Sequence, residues 1–213
     1  MSRIGVLGGG SWGTTLADLL ARRGHDVRMW AREPEVVASI NQRRENRLYL
    51  PEVPLAPGLA AVASTPEAVE GADLIVSAAP SHAVRTVCQS AAATVAQGTV
   101  VVSVTKGLES ESLLPMSAVL QQVLPQARVA VLSGPSFARE VAEGQPTAVV
   151  AASADPAAAA ETQSAFVTSR FRVYTASDVV GAELAGALKN VIAIAAGMLE
   201  GLGLGHNPRA ALL

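Results

Sequence analysis

The sequence predicts an α/β protein: a doubly wound, mostly parallel sheet, followed by the start of an all-α C-terminal domain. Three observations lead there. Short apolar runs of strand type alternate with stretches of helical spacing over the first 177 residues, a pattern that implies parallel strands covered by helices on both faces. The first strand-to-helix turn carries a glycine loop, Gly8-x-Gly10-x-x-Gly13. From Asp178 the alternation stops and one long apolar helix begins. The expected division is a sheet unit over 1–177 and an incomplete helical unit over 178–213.

The elements follow in order. "RIGVLG" (3–8) is a compact strand, and "SWGTTLADLLARRG" (11–24) a helix with Leu16, Leu19 and Leu20 on one face and Gly24 as its stop. "HDVRMWAR" (25–32) and "EPEVVASINQRREN" (33–46) are the second strand and helix. "DLIVSAAP" (73–80), "TVVVSVT" (99–105) and "RVAVLSG" (128–134) are buried strands. Between them lie the helices "SHAVRTVCQSAAATV" (81–95) and "SLLPMSAVLQQVL" (112–124), the second broken early by Pro115. "PTAVVAAS" (146–153) and "FRVYTAS" (171–177) add outer strands around an alanine-rich helix (155–169). A long helix spans 178 to about 202, and after "GLGLGHNPRAALL" the chain stops at the start of another helix. That ending is expected of a helical domain cut short.

Composition narrows the function classes. The chain has 213 residues, half of them hydrophobic, with 16 basic against 18 acidic side chains and a formal net charge of -2. There is no basic field to attract nucleic acid. The single cysteine, Cys88, excludes an internal disulfide framework and a multi-cysteine zinc site; it reads as a buried, inert thiol, and no metal is expected. "MSRIGVLGGG" runs from a strand into a loop and is not a signal peptide. Lys189 and Glu200 bracket only ten residues, short of the roughly 20 apolar residues of a spanning helix, so a cytoplasmic protein without a membrane span is expected.

The glycine loop has a chemical logic. Gly8 makes the tight turn, Gly10 lets backbone approach a pyrophosphate, and Gly13 allows close helix–strand packing, with the helix N-terminus facing the phosphate. With a strand before it and a helix after it, the loop predicts a Rossmann-like dinucleotide site over 1–177. Ser11 and Trp12 lie where a cofactor would sit; Ser11 reads equally well as an N-cap, and Trp12 as packing under the loop. An acid about 20 residues past the glycines would favour NAD. The second strand instead ends in Trp30, Ala31 and Arg32, with Glu33 just after. Arg32 is either the partner of a 2'-phosphate or a solvated surface charge, and the first reading implies that NADPH is accepted.

Three later strands each end in a polar cluster, "AAPSHAVR" (78–85), "SVTKGLE" (103–109) and "LSGPSFAREVAEGQPTAVV" (132–150). Ligands of open parallel sheets sit at the carboxyl ends of the strands. Lys106 and Lys189 bring positive charge and Ser136 a donor, a set suited to a small phosphorylated substrate. Taken singly, each has a plain reading: Ser81 as a helix cap, His82 as an exposed loop residue, Lys106 as a turn lysine, His25 as a solvated turn residue, and His206 as part of an unanchored glycine-rich loop.

With these residues the chain resembles the bacterial-type NAD(P)-dependent glycerol-3-phosphate dehydrogenases. The blocks "GGGSWGTTLA", "NRLYLP", "APSHAVR", "TKGLE", "LSGPSFAREVAEGQPTAVV" and "ELAGALKNVIAIAAGMLEGLGLGHNPRAAL" carry the resemblance in order across nearly the whole chain. The resemblance implies interconversion of sn-glycerol 3-phosphate and dihydroxyacetone phosphate with NAD or NADP, serving phospholipid synthesis, in a possible homodimer. It also implies cofactor contacts at Ser11, Trp12, Arg32, Lys106 and Ala138, substrate contacts at Lys106, Gly134 and Ser136, and Lys189 as catalytic proton acceptor. Gly9 and Thr15 stand where alanines are usual. Such proteins continue through a helical domain that supplies an aspartate, a Ser-Arg-Asn cluster and a late acidic cofactor contact, residues that are not among these 213.

Lys189 lies in "ELAGALKNVIAIAAGML" (183–199). Alcohol oxidation needs a group that takes the C2 hydroxyl proton near neutral pH. A lysine does so when apolar surroundings and a second ammonium disfavour its charge; the helix predicts the first and Lys106 the second. A snorkelling helix lysine is the plain alternative. Another hydroxyacid dehydrogenase on the same plan, or a non-catalytic dinucleotide-binding fragment, would share these features.

Overall fold

The computed structural model describes residues 1–212. The elements run β1 (Arg3–Leu7), α1 (Ser11–Arg22), β2 (Asp26–Trp30), α2 (Pro34–Arg43), β3 (Leu59–Val62), α3 (Thr65–Val69), β4 (Leu74–Ser77), α4 (Val84–Ala91) with a 3-10 turn (Ala92–Thr94), β5 (Val100–Ser103), α5 (Met116–Val123), β6 (Arg128–Ser133), α6 (Ala138–Ala142), β7 (Thr147–Ala152), α7 (Pro156–Phe166), β8 (Phe171–Ala176), α8 (Val179–Gly201) and α9 (His206–Leu212). The strands form one sheet in the order β3-β2-β1-β4-β5-β6-β7-β8. Every pairing is parallel except β6 with β7.

Strand residues alternate between two cores. Ile4, Val6, Val76 and Val102 face α1, α2 and α7, with Phe166 fully buried among them. Leu7, Ile75 and Val101 face α3, α4 and α5. Burial on both sides is why these strands read as unbroken apolar runs. Cys88 lies in the second core, its thiol pushed up to about 11 by burial.

The strand order reverses between β1 and β4, which leaves a crevice at their carboxyl ends. Leu7 pairs with Trp30 and with Ser77, and Ser77 with Ser103. Four strands therefore end at one level, and the loops after them open onto a common line.

Three elements were not expected: β3, α3 and α6. Each is four or five residues long, too short to show a period. Ser64 caps α3 by accepting from the Glu67 amide at 3.3 Å. The helix expected over 112–124 starts only at Met116, after Pro115.

α8 differs from its expectation in one respect. Its 23 residues are long and apolar enough, by length and composition, to cross a membrane. The stretch between Lys189 and Glu200 understated this, because the apolar run continues on both sides of Lys189. Most of α8 stands exposed, Val191 at 62%. His206, expected in a loop, is the first residue of α9.

Candidate active site

At the end of β1, Gly8 turns with φ +139, and a Cβ there would lie 2.7 Å from the Ala78 carbonyl. A Cβ on Gly13 would overlap the Gly8 carbonyl oxygen. Gly10 differs: it is the N-cap of α1, in extended conformation, and a Cβ there would meet no protein atom within 4 Å. Two glycines are thus required by the fold, and the third faces open space.

That space is a cleft of about 750 Å³. Gly8, Gly10, Ser11, Trp12 and Gly13 line one wall. Ser11 is the first helical residue and not the cap; α1 has no side-chain cap and no acid in its first turn. Its N-terminal amides and positive dipole end are left for a ligand, as a pyrophosphate requires. Asn46, fully buried, holds the loop from below, donating to the Gly9 carbonyl at 2.9 Å and to Thr14 Oγ1 at 2.8 Å.

Beyond β2, Arg32 and Glu33 both line the cleft. The Arg32 Nη2 donates to Glu33 Oε1 at 2.8 Å, and Tyr49 donates its hydroxyl to the same oxygen at 3.1 Å. Burial opposes ionisation of Glu33, but the bonds from Arg32 and Tyr49 outweigh it and hold its carboxyl below the usual range. Arg32 is 81% exposed, so it is a surface charge that also reaches the cleft.

At the opposite end stand Lys106, Ser136, Ala138 and Lys189. The Lys106 Nζ donates to the Gly134 carbonyl at 2.9 Å and lies 3.5 Å from Ser136 Oγ. Burial first, and the Lys189 ammonium second, push its pKa down. Gly134 does not line the cleft; it has φ +153, and its carbonyl anchors Lys106. Ala138 opens α6, and Thr15 donates to its carbonyl at 3.1 Å, tying α1 to this wall. The chain's two lysines, Lys106 and Lys189, are both here; the other fourteen basic residues are arginines.

Several expectations need correction. Lys189 is not in apolar surroundings within the described residues: it is exposed, and its Nζ donates to Asn190 Oδ1 at 2.6 Å. The desolvation expected there falls on Lys106, which is half-buried. Ser81 does not cap α4, whose N-cap is Ala83; it lines the cleft beside the exposed His82. His25 is half-buried, its Nδ1 accepting from the Ser2 amide at 3.3 Å, and burial lowers its pKa. Among the described residues, no three His, Cys, Asp or Glu side chains stand together as a metal site.

Asn46 and Tyr49 carry roles that spacing did not reveal. Both come from "NRLYLP", a segment with no period of its own. The helix expected over 33–46 would include Asn46, but α2 ends at Arg43, and otherwise the segment shows only in the family resemblance.

The comparisons with known proteins agree with this geometry. Residues 3–159 match the family described as NAD-dependent glycerol-3-phosphate dehydrogenase N-terminus, and residues 178–213 match its C-terminus. The chain is 56% identical over 214 residues to glycerol-3-phosphate dehydrogenase [NAD(P)+] of Geobacter metallireducens, and 55% identical to that of Geobacter sulfurreducens. Each alignment covers 99% of this chain and 64% of the relative. The crystal structure of glycerol-3-phosphate dehydrogenase from Coxiella burnetii is 39% identical with a TM-score of 0.90, over 99% of this chain and 65% of that one. The chain thus spans just under two thirds of the length of these relatives.

Proposed function

The chain belongs to the NAD-dependent glycerol-3-phosphate dehydrogenase family, and from that premise we propose that it interconverts sn-glycerol 3-phosphate and dihydroxyacetone phosphate with NAD(P)(H), supplying glycerol 3-phosphate for glycerophospholipid synthesis. One observation carries the reading. A single cleft joins an uncapped helix N-terminus behind a glycine loop to both lysines of the chain. The first end suits a pyrophosphate and the second a small anionic substrate.

The residues present fit a nicotinamide dinucleotide. Gly10, Ser11 and Trp12 would hold the pyrophosphate region. Glu33 would accept from ribose hydroxyls, and Arg32 would meet a 2'-phosphate, so both NAD and NADP are expected to bind. When bound, the nicotinamide supplies or receives the hydride. Lys106, fixed by Gly134, and Ser136 would donate to substrate oxygens, and Ala138 would line the cofactor's side. Lys189 would take the C2 hydroxyl proton in oxidation and return one to the ketone oxygen in reduction.

The reading extends to organisation. Residues 1–177 are the cofactor unit, and 178–213 open a helical unit for substrate and dimer contacts. We assign α8 to contacts with protein and not lipid, because Glu183 and Lys189 interrupt its apolar surface, Glu183 bonded to Ser117 and Lys189 lining the cleft. A homodimer in the cytoplasm completes the proposal.

The test compares dihydroxyacetone phosphate with unphosphorylated dihydroxyacetone as oxidants of NADPH and of NADH. Turnover that depends on the phosphate supports the reading. Equal rates with both ketones would indicate a different hydroxyacid or ketone substrate. NADPH binding without turnover would make the chain a binding module.

A further inference from the structure

α8 is exposed along most of its length, yet one of its residues is buried, and that residue is charged. Glu183 is 7% exposed. Both of its carboxylate oxygens are engaged by one residue 66 positions away: Ser117 donates its backbone amide to Oε1 at 2.8 Å and its hydroxyl to Oε2 at 2.5 Å. No basic side chain pairs with Glu183 among the described residues. Burying a carboxylate without a cation is unfavourable unless hydrogen bonds replace water.

Ser117 shows why the carboxylate is stable there. It is the second residue of α5, whose N-cap is Pro115, a residue without a side-chain cap or an N–H. The first turn of α5 therefore has unsatisfied amides and a positive dipole end. Glu183 supplies the missing cap from a different part of the chain.

The same face of α8 continues to the cleft. Positions 183, 186 and 190 share one side of a helix, and Lys189 lies one turn beyond Gly186. A Cβ on Gly186 would lie 3.1 Å from Ser133 Oγ and 3.5 Å from Lys106 Cγ; the α8 backbone thus crosses close over the end of β6 and the stem of Lys106. One turn further, Lys189 reaches the cleft. Glu183 lies about 9 Å back along the axis, too far to touch the substrate.

We propose that Glu183 is a positioning residue: by capping α5 through Ser117 it fixes the register of α8 on the sheet unit and so sets Lys189 opposite Lys106. Its catalytic meaning rests on the proposed function, but the placement does not.

The chain's two lysines make the test direct. Protein labelled with carbon-13 at the lysine Cε gives two resonances, which can be titrated with no need for turnover. Lys106 titrates low in the wild type. In Glu183→Ala, displacement of Lys189 raises the Lys106 midpoint toward its ordinary value, while Glu183→Gln, which still accepts from the Ser117 amide through Oε1 and can donate its Nε2 to Ser117 Oγ, stays near the wild type. If Glu183→Ala fails to fold, Ser117→Ala, which removes one bond and keeps the amide, gives a smaller shift in the same direction. A folded Glu183→Ala, or in its place Ser117→Ala, with both lysines titrating as in the wild type overturns the positioning role. In the turnover assay Glu183→Ala lowers kcat about tenfold with the NADPH KM within about twofold, and costs little more in a Lys189→Ala background; additive losses there overturn the route through Lys189. A wild type that shows the lysine coupling but no reaction with dihydroxyacetone phosphate removes the functional reading and leaves the placement standing.

Discussion

Gly10 and Gly13 lie three residues apart in one loop, and replacing each with alanine should separate folding from binding. A Cβ at Gly13 overlaps the Gly8 carbonyl oxygen, a backbone atom that cannot swing aside. Overpacking of that kind costs about 3 kcal/mol, the upper end of its usual range. For a chain of this length that lowers Tm by about 6–12 °C. At Gly10 the Cβ meets nothing within 4 Å, and the backbone, at φ -69 and ψ 178, is open to any residue. The loss of a good N-cap and the gain from a stiffer unfolded chain nearly offset, leaving about 1 kcal/mol or less. That methyl would project into the space assigned to the pyrophosphate. Gly10→Ala should therefore keep its Tm within about 4 °C and weaken NADPH binding at least tenfold, about 1.4 kcal/mol. Thermal melts and fluorescence titration with NADPH read the two quantities on the same samples. A Gly10→Ala protein that binds NADPH as the wild type does would refute the placement of the pyrophosphate.

Other predictions concern the two ends of the cleft and the loops behind it. Arg32→Ala should weaken NADPH about tenfold, the scale of a charge-assisted phosphate contact, and leave NADH within about twofold; Glu33→Gln should do the reverse, and the two Kd values for each variant decide it. The Arg85 guanidinium donates to both Glu109 oxygens at 2.8 Å. That bond, with one from Ser112, holds the Glu109 carboxyl at about 2, far below its ordinary 4.5. A depressed carboxyl stabilises the fold above 4.5, and this support is lost as pH falls toward 2. Urea midpoints should decline over that window in the wild type, and less steeply in Arg85→Ala.

The parts of this molecule legible in the sequence are those where local chemistry and global placement coincide. The glycine loop could be read because its constraints are within six residues of one another: Gly8 and Gly13 meet through one carbonyl. The strands of the parallel core were legible because burial on both faces leaves mostly apolar residues. β3 was not: "LAAV" is alanine-rich, and alanine has little preference for a strand; pairing with β2 decides its conformation. Ser11 looked like a cap because its type suits one, but it is already the first helical residue and Gly10 is the cap. Lys106 and Lys189 were found by type and by their place after strand and helix. Which of them is desolvated depends on how α8 lies over β6, a long-range contact that neither segment records. Glu183 is the clearest case: from spacing alone it is one charged residue at the start of a helix, and its meaning lies in Ser117, 66 positions away.

The central claim is that this cleft transfers hydride between a nicotinamide and the C2 carbon of a three-carbon phosphate. The direct measurement is a single turnover of the chain with NADPH deuterated at both C4 positions and dihydroxyacetone phosphate, with the product read by mass spectrometry. The account predicts glycerol 3-phosphate carrying one deuterium at C2, and almost none from Lys189→Ala. Unlabelled product, or no product from a chain that binds both ligands, would contradict it.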